Sequence, residues 1–146
     1  MQEREGSLPS EELDISNNGL IRWCRRTAAQ RLRRVAVQER EGSLEELDIS
    51  NNGLTGEAAD AVAQLLSASP GLRSLNLNMN ELGDGGMYPL AKALKGVSEG
   101  GEGGLTELDV GACAFGEEGA AVLMDALRGS TTLESLVLSC VFLNCL

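Results

Sequence analysis

The stretch from Leu44 to Leu54, LEELDISNNGL, decides the fold, because its skeleton of leucines returns twice along the chain. The pattern L-x-x-L-x-L-x-x-N/C-x-L reappears as LRSLNLNMNEL at residues 72–82 and, with Val110 and Phe115 replacing two leucines, as LTELDVGACAF at residues 105–115. Such self-similarity is typical of solenoids, in which each repeat buries its apolar side against the next. The sequence therefore predicts stacked repeat units.

A helix is predicted after each of these motifs. Small or aliphatic residues lie four, eight and twelve positions after the motif end, namely Ala58, Val62 and Leu66; Gly86, Leu90 and Leu94; Gly119, Leu123 and Leu127. A spacing of four aligns side chains on one helix face, so we expect these residues to pack on the strands. We expect Pro89 in the first turn of its helix. The glycine-rich stretch VSEGGEGG, residues 97–104, is expected to be a flexible inserted loop.

The N-terminal part duplicates the central motif. Residues 2–20 repeat residues 38–54 apart from the inserted Pro9 and Ser10, and we predict a terminal strand at Glu12–Ser16. Residues 21–37, IRWCRRTAAQRLRRVAV, are predicted to form an amphipathic helix with arginines outside the apolar stripe. Its basic face can be simply solvated, or it can serve nuclear import, RNA or membrane contact, or pairing with acidic residues of the same chain.

We divide the chain into a degenerate N-terminal repeat, residues 1–37, and a repeat domain, residues 38–146. We interpret the last repeat, LESLVLSCVFLNCL from Leu133, as incomplete, because no helix pattern follows it. Its apolar tail can fold back as a cap, form a contact surface, or belong to a fragment. Because the two copies of the duplicated segment carry the same strand, they can compete for one place in the sheet, which would allow alternative registers or strand exchange.

Charge is distributed unevenly along the 146 residues, whose formal net charge is −10. Residues 1–37 hold seven arginines against five acidic residues, whereas residues 38–146 hold five basic against seventeen acidic residues. An acidic body disfavours nucleic acid and favours a basic protein partner.

The sequence also bears on localisation. The four cysteines form no C-x-x-C pair, and we find no pattern of a signal peptide or of a membrane-spanning run. We therefore expect a cytoplasmic protein, with the nucleus as an alternative and no membrane contact.

The motifs, the Asn or Cys eight residues after the first leucine, and repeat steps of 28, 33 and 28 residues resemble ribonuclease-inhibitor-type leucine-rich repeats. The resemblance covers residues 44–140 well and residues 11–37 loosely. It implies an α/β leucine-rich-repeat solenoid, a short horseshoe with a parallel sheet on the concave face and helices on the convex face. It also implies a protein-binding scaffold, because members share the frame and differ in partner.

Two sets of residues are candidates for specific roles. Asn52, Asn80 and Cys113 lie where the chain leaves each strand, and we expect them to bond backbone groups there, Cys113 more weakly. Outward strand positions are expected to bind the partner, and they are Glu46, Asp48, Ser50, Ser74, Asn76, Asn78, Glu107 and Asp109. Two interpretations of the acids stay open: they keep an exposed sheet soluble, or they attract a basic protein.

We predict no catalytic activity, cofactor, metal site or small-molecule substrate. The chain has no histidine, which is the usual general base and metal ligand. The run from Asp48 to Gly53 imitates the start of a calcium loop, but the twelfth position is Ala59 instead of Glu. Two other functions stay open: activation of a small GTPase, as some proteins of the resembled type perform, and self-association through the C-terminal edge.

Overall fold

The computed structural model describes residues 11–14, of which it describes the backbone, together with residues 44–99 and 104–139. The strands of this part form one parallel sheet in chain order, β1 (Glu11–Asp14), β2 (Leu44–Asp48), β3 (Ser74–Asn76), β4 (Glu107–Asp109) and β5 (Ser135–Val137). Helices α1 (Gly56–Ala68), α2 (Gly83–Glu99) and α3 (Glu117–Leu127) connect β2 to β5. The chain therefore advances by one strand and one helix per repeat, which confirms the predicted α/β solenoid.

The central leucine of each motif sets the register of the sheet. Leu47 is opposite Leu75, Leu75 is opposite Leu108, and Leu108 is opposite Leu136. Leu47, Leu75 and Leu108 are at most 2% exposed, and burial of one such side chain stabilises the fold by about 1.5–3 kcal/mol. The core between sheet and helices is thus a stack of equivalent leucine layers.

The helix faces predicted from steps of four lie on this core. Buried positions on these faces are Ala58, Val62, Leu66, Gly86, Leu90, Leu94, Gly119 and Leu123, and Leu127 packs against them while partly exposed. Gly86 shows why a small residue is needed at the contact between α1 and α2. A Cβ atom there would lie 3.0 Å from Leu82 Cβ and 3.3 Å from Ala59 Cβ, closer than the two helices tolerate without shifting.

Helix α2 is longer than the sequence pattern predicted, at both ends. It begins at Gly83, so Pro89 is its seventh residue and lies in the second turn instead of the first. The early start is stabilised by the Gly86 N–H, which donates to the Leu82 carbonyl at 3.1 Å. At the other end Val97 packs on the core and the Ser98 hydroxyl donates to the Leu94 carbonyl. Residues 97–99 are therefore helical, and the prediction of a loop there was wrong.

The first strand pairs with the duplicated copy of its own sequence. Leu13 is opposite Leu47, so the predicted terminal strand is present, although it begins at Glu11 instead of Glu12. Glu11 is opposite Leu44 and Glu12 is opposite Glu46, which leaves one extra residue on β2. The two copies of the strand thus lie side by side in the sheet. Several sequence predictions concern parts outside the described residues, namely Ser16, the arginine-rich helix at 21–37, the division of the chain at 37/38, the loop residues 100–103 and the tail 140–146.

Candidate functional site

One side of strands β2 to β5 carries polar side chains in three rows, because residues that flank a buried leucine on a strand point away from the core. The first row is Glu46, Ser74, Glu107 and Ser135, and the second is Asp48, Asn76, Asp109 and Val137. The third row follows two residues further on and consists of Ser50, Asn78, Gly111 and Ser139. We call this surface the open face. It brings together all eight residues predicted to bind a partner.

Glu46 and Glu107 are the most accessible acids of the open face. Both are exposed, whereas Asp48 and Asp109 are half-buried. Neighbouring strands lie about 4.8 Å apart, so Glu46 and Glu107, which are separated by β3, are roughly 10 Å apart along the first row. The residue between them is Ser74, whose hydroxyl donates weakly to Glu107 Oε2 at 3.4 Å. The first row therefore offers two carboxylates whose outer oxygens are open to a cationic partner.

The second row begins a turn at the end of β2, β3 and β4. Asp48 Oδ1 accepts a hydrogen bond from the Ser50 N–H at 2.9 Å, and Asp109 Oδ1 accepts one from the Gly111 N–H at 2.8 Å. On β3 the Asn76 Oδ1 accepts from the Asn78 N–H at 3.0 Å. Side-chain oxygens of Asp and Asn commonly fix a turn by bonding the backbone two residues later. These three residues therefore shape the end of each strand besides facing the solvent.

Two amides, one on the last residue of β3 and one in the turn after it, also hold the carboxylates of both neighbouring strands. Asn76 Nδ2 donates to Asp48 Oδ2 at 2.9 Å, and Asn78 Nδ2 donates to Asp109 Oδ1 at 3.1 Å. Hydrogen bonds to an ionised acceptor are stronger than those between neutral groups, and a connected network rigidifies its members. The carboxylates of the second row are thus presented in fixed positions. This network was not predicted from the sequence, in which an Asp or Asn two residues before Ser, Asn or Gly signals the turns but not the bonds between strands.

The open face has a shallow depression of about 200 Å³ over strands β3 to β5. Its polar lining includes Glu107 and Asp109, and Val137 provides an apolar wall that is 38% exposed. Sites for small molecules usually enclose about 300–1,000 Å³, so this depression fits a protruding side chain of a partner better than a metabolite. A groove of about 540 Å³ on the helical side, between α1 and α2, is larger but is lined mainly by small residues.

Beneath the strand ends, Asn80 joins two repeats through four hydrogen bonds. Its Oδ1 accepts from the Asn52 N–H at 3.1 Å and from the Leu54 N–H at 3.0 Å. Its Nδ2 donates to the Ile49 carbonyl at 3.1 Å and to the Leu77 carbonyl at 2.7 Å. Asn80 is 1% exposed, so these bonds satisfy backbone groups that water cannot reach.

Asn52 and Cys113 occupy the equivalent positions in the flanking repeats. Asn52 Nδ2 donates to the Ile49 carbonyl at 3.0 Å and to the Ser50 carbonyl at 3.1 Å. The Cys113 thiol donates to the Leu77 carbonyl at 3.1 Å, and its sulfur accepts from the Asn80 backbone N–H. Burial raises the pKa of the Cys113 thiol to about 11, so the sulfur is protonated and poorly nucleophilic near neutral pH.

Two contacts between α2 and α3 have no sequence signal, because their partners are about 30 residues apart. Asp84 Oδ1 accepts from the backbone N–H groups of Gly116 and Gly119, at 2.8 and 2.7 Å, and so caps the N-terminus of α3 from the preceding repeat. The Tyr88 hydroxyl donates to Glu118 Oε1, and this bond raises the pKa of Tyr88 above its usual 10.0.

Metal-binding clusters and membrane-spanning helices are absent from the described part of the chain. No group of three His, Cys, Asp or Glu side chains among residues 44–99 and 104–139 has an arrangement that would hold a metal ion. Of the helices α1 to α3, none is long and apolar enough to cross a membrane.

Comparison with known proteins agrees with the architecture. A family model described as Leucine Rich repeat matches residues 43–63 and 68–91. No curated protein matches the sequence. A similar solved structure is the tropomodulin C-terminal domain from Caenorhabditis elegans, with 18% sequence identity and a TM-score of 0.68 over 96% of this chain and 80% of that chain. At this identity the likeness concerns the fold alone.

Proposed function

We propose that this leucine-rich-repeat protein is a non-enzymatic scaffold that binds a basic protein partner on its open face. The observation that carries the proposal is the presentation of carboxylates there: Glu46 and Glu107 are exposed, and Asp48 and Asp109 are held by amides at the end of β3 and in the turn after it. A fixed, acidic surface attracts cations at long range and loses little conformational entropy on binding. We place the protein in the cytoplasm or the nucleus and in the ribonuclease-inhibitor type, on the basis of its composition and of its 28-residue steps.

The kind of partner follows from what the open face lacks as well as from what it has. Its three rows over β2 to β5 contain four acids and no basic residue. Its depression accommodates one side chain beside Val137, and a lysine or arginine can pack its aliphatic stem there while its charge approaches Glu107. A partner that projects lysine or arginine side chains roughly 10 Å apart would reach Glu46 and Glu107 together.

Charge reversal at Glu46 and Glu107 is the sharpest test of this proposal. Both side chains are exposed, and neither accepts a backbone hydrogen bond, whereas reversal of Asp48 or Asp109 would also destroy a turn. The matched control is Asp60→Lys with Asp125→Lys, which changes the net charge equally at exposed positions on α1 and α3.

The assay is capture of proteins from a cell extract by the immobilised full chain, followed by affinity measurement with the captured protein. We expect the double variant at Glu46 and Glu107 to lose at least about tenfold in affinity, and the control to stay within about twofold. Binding by the wild type should weaken as salt is raised, because screening shortens the range of the attraction. Equal losses in both variants, or affinity that is independent of salt, would show that the open face is not the binding surface.

Self-association through the C-terminal edge has one observation in its favour. Leu133, Leu136 and Leu138 in the last described repeat are only half-buried, whereas the corresponding leucines of the central repeats are almost completely buried. Sedimentation velocity over a concentration series distinguishes this second candidate from a monomeric binder, because a self-associating chain sediments faster as its concentration rises.

A further inference from the structure

The junction between β1 and β2 differs from the other junctions of the described sheet in the charges that it brings together. From β2 to β5, each acid in the first two rows is in register with uncharged residues: Glu46 with Ser74, Asp48 with Asn76, Glu107 with Ser74 and Ser135, and Asp109 with Asn76 and Val137. At the first junction, Glu12 is in register with Glu46, and Asp14 is in register with Asp48. Among the junctions of the described sheet, this one pairs acid with acid, and it does so twice.

The duplication of the sequence accounts for this charge pattern. Residues 11–14 and 45–48 are both EELD, and β1 aligns the ELD of one copy with the ELD of the other. Like charges in register on neighbouring strands repel each other, and at a strand spacing of about 4.8 Å in water this weakens the pairing by a factor of up to roughly 4 per pair. At the next junction the corresponding neighbour of Asp48 is Asn76, which donates a hydrogen bond to it. Asp48 therefore has a hydrogen-bonding amide residue in register on one side and a second acid in register on the other.

We infer that charge controls the pairing of β1 with β2: cations promote the pairing, and the basic partner proposed above promotes it when it binds. We call this junction the charge-controlled joint. The second half of this inference rests on the proposed function, and the first half does not. Glu12 and Asp14 are in register with Glu46 and Asp48 only when β1 is paired, so cations that screen these acids shift the equilibrium toward the paired state. By linkage, pairing of β1 must strengthen the binding of the cationic partner by the same factor.

Amide hydrogen exchange of the full chain tests the salt dependence of the joint. The probe amides are those of residues 12–14, and amides of β3 and β4 serve as the internal reference. Raising KCl from about 0.01 M to about 0.3 M shortens the screening length from roughly 30 Å to less than 10 Å. We expect protection of the β1 amides to rise roughly threefold to tenfold, while the reference amides change less than twofold.

Two double variants separate the joint from the net charge of the molecule. Glu12→Gln with Asp14→Asn should raise β1 protection at low salt by the same factor and remove most of the salt response. Asp60→Asn with Asp125→Asn removes two charges from exposed positions on α1 and α3 and should leave the salt response as in the wild type. If β1 exchange is indifferent to salt, or if both double variants respond alike, the charge-controlled joint is refuted.

Decalysine serves as the cationic probe for the link to binding. At low salt it should raise β1 protection in the wild type and in the α1 and α3 control, and have much less effect in the double variant of β1. Calorimetric binding of decalysine without a gain in β1 protection would refute the coupling, while the binding proposal would stand. Absence of any decalysine binding, together with a normal salt response of β1, would refute the basic-partner proposal and leave the joint intact.

Discussion

The buried position eight residues after the first leucine of each repeat permits a reciprocal substitution experiment. Asn80→Cys gives the β3 repeat the residue that the β4 repeat has, and Cys113→Asn does the reverse. Both side chains are at most 1% exposed, and both donate to the Leu77 carbonyl, Asn80 from the same repeat and Cys113 from the next one. The two variants therefore change the number of hydrogen bonds between repeats in opposite directions, while the surface stays the same.

The magnitude follows from the hydrogen bonds that each side chain makes. Asn80 makes four hydrogen bonds to backbone groups, whereas Cys113 makes two, one of which is a weak thiol donor. A hydrogen bond contributes about 0.5–1.5 kcal/mol net, and a buried group left without its partner costs about 1–3 kcal/mol. We expect Asn80→Cys to lower the free energy of unfolding by about 2–4 kcal/mol, because the Leu54 N–H loses its acceptor. Cys113→Asn should raise it by about 1–2 kcal/mol.

Urea unfolding followed by circular dichroism gives both values, and its pH dependence gives an independent check on Cys113. The pKa of this thiol is raised from 9.0 to about 11 in the folded state, so the folded state binds the proton more tightly. The resulting stability is fully present below about pH 9 and is lost as the pH rises through about 11, at up to about 1.4 kcal/mol per pH unit. Cys113→Asn should lose less stability than the wild type between pH 9 and 11.

One result would refute this reasoning directly. If Cys113→Asn destabilised the protein as much as Asn80→Cys, the two positions would each be fitted to the volume of their own side chain. Hydrogen bonding between repeats would then not decide the stability of the protein at these positions. A change in the slope of the urea dependence would signal that a substitution altered the surface exposed on unfolding, and the comparison would then use the variants with unchanged slope.

Three further predictions concern Tyr88, Asp84 and Met79. The single tyrosine, Tyr88, should ionise above pH 10.0 in an absorbance titration, and Glu118→Gln should lower that pKa, because the neutral amide no longer holds the phenol proton. Asp84→Ala should lower the free energy of unfolding in urea by about 1–2 kcal/mol, because the N-terminus of α3 loses its acceptor, and Asp84→Asn should lower it less. Met79→Asn should raise the free energy of unfolding by up to about 1 kcal/mol, because Met79 is exposed with a left-handed φ of 57°, whereas Met124→Asn, at an exposed helical position, should lower it.

The fold was predictable because burial in a repeat protein is periodic. Leucines at fixed steps give the strand positions, and steps of four give the buried helix faces, such as Ala58, Val62 and Leu66 on α1. The limits of α2 were not predictable in the same way. Its last residues are helical because Val97 reaches the core, and its first turn forms around Leu82 and Gly86, contacts that the glycine content of the sequence obscured.

The candidate site was predictable in its residues but not in its bonds. Alternation along each strand placed Asp48, Asn76 and Asp109 on one face, because side chains on a strand point to opposite sides in turn. Which of them bond each other depends on the register between strands and on the turn after each strand. The Asp48–Asn76 pair and the capping of α3 by Asp84 connect residues about 30 positions apart, and no local pattern encodes such distances.

The arrangement of the repeats separates the residues that stabilise the protein from those that we expect to bind the partner. Inward positions such as Leu75 and Asn80 join neighbouring repeats, whereas the outward positions of Glu46 and Glu107 touch few groups of the protein. Substitution at Glu46 or Glu107 should therefore change affinity with little change in the free energy of unfolding. Substitution at Asn80 should do the opposite. Asp48 and Asp109 are exceptions, because each carboxylate holds a turn and accepts a bond from a side-chain amide. Asp48 is in addition in register with Asp14. Affinity and stability should change together at Asp48, and binding at Asp48, or at Glu46 in register with Glu12, can influence the pairing of β1.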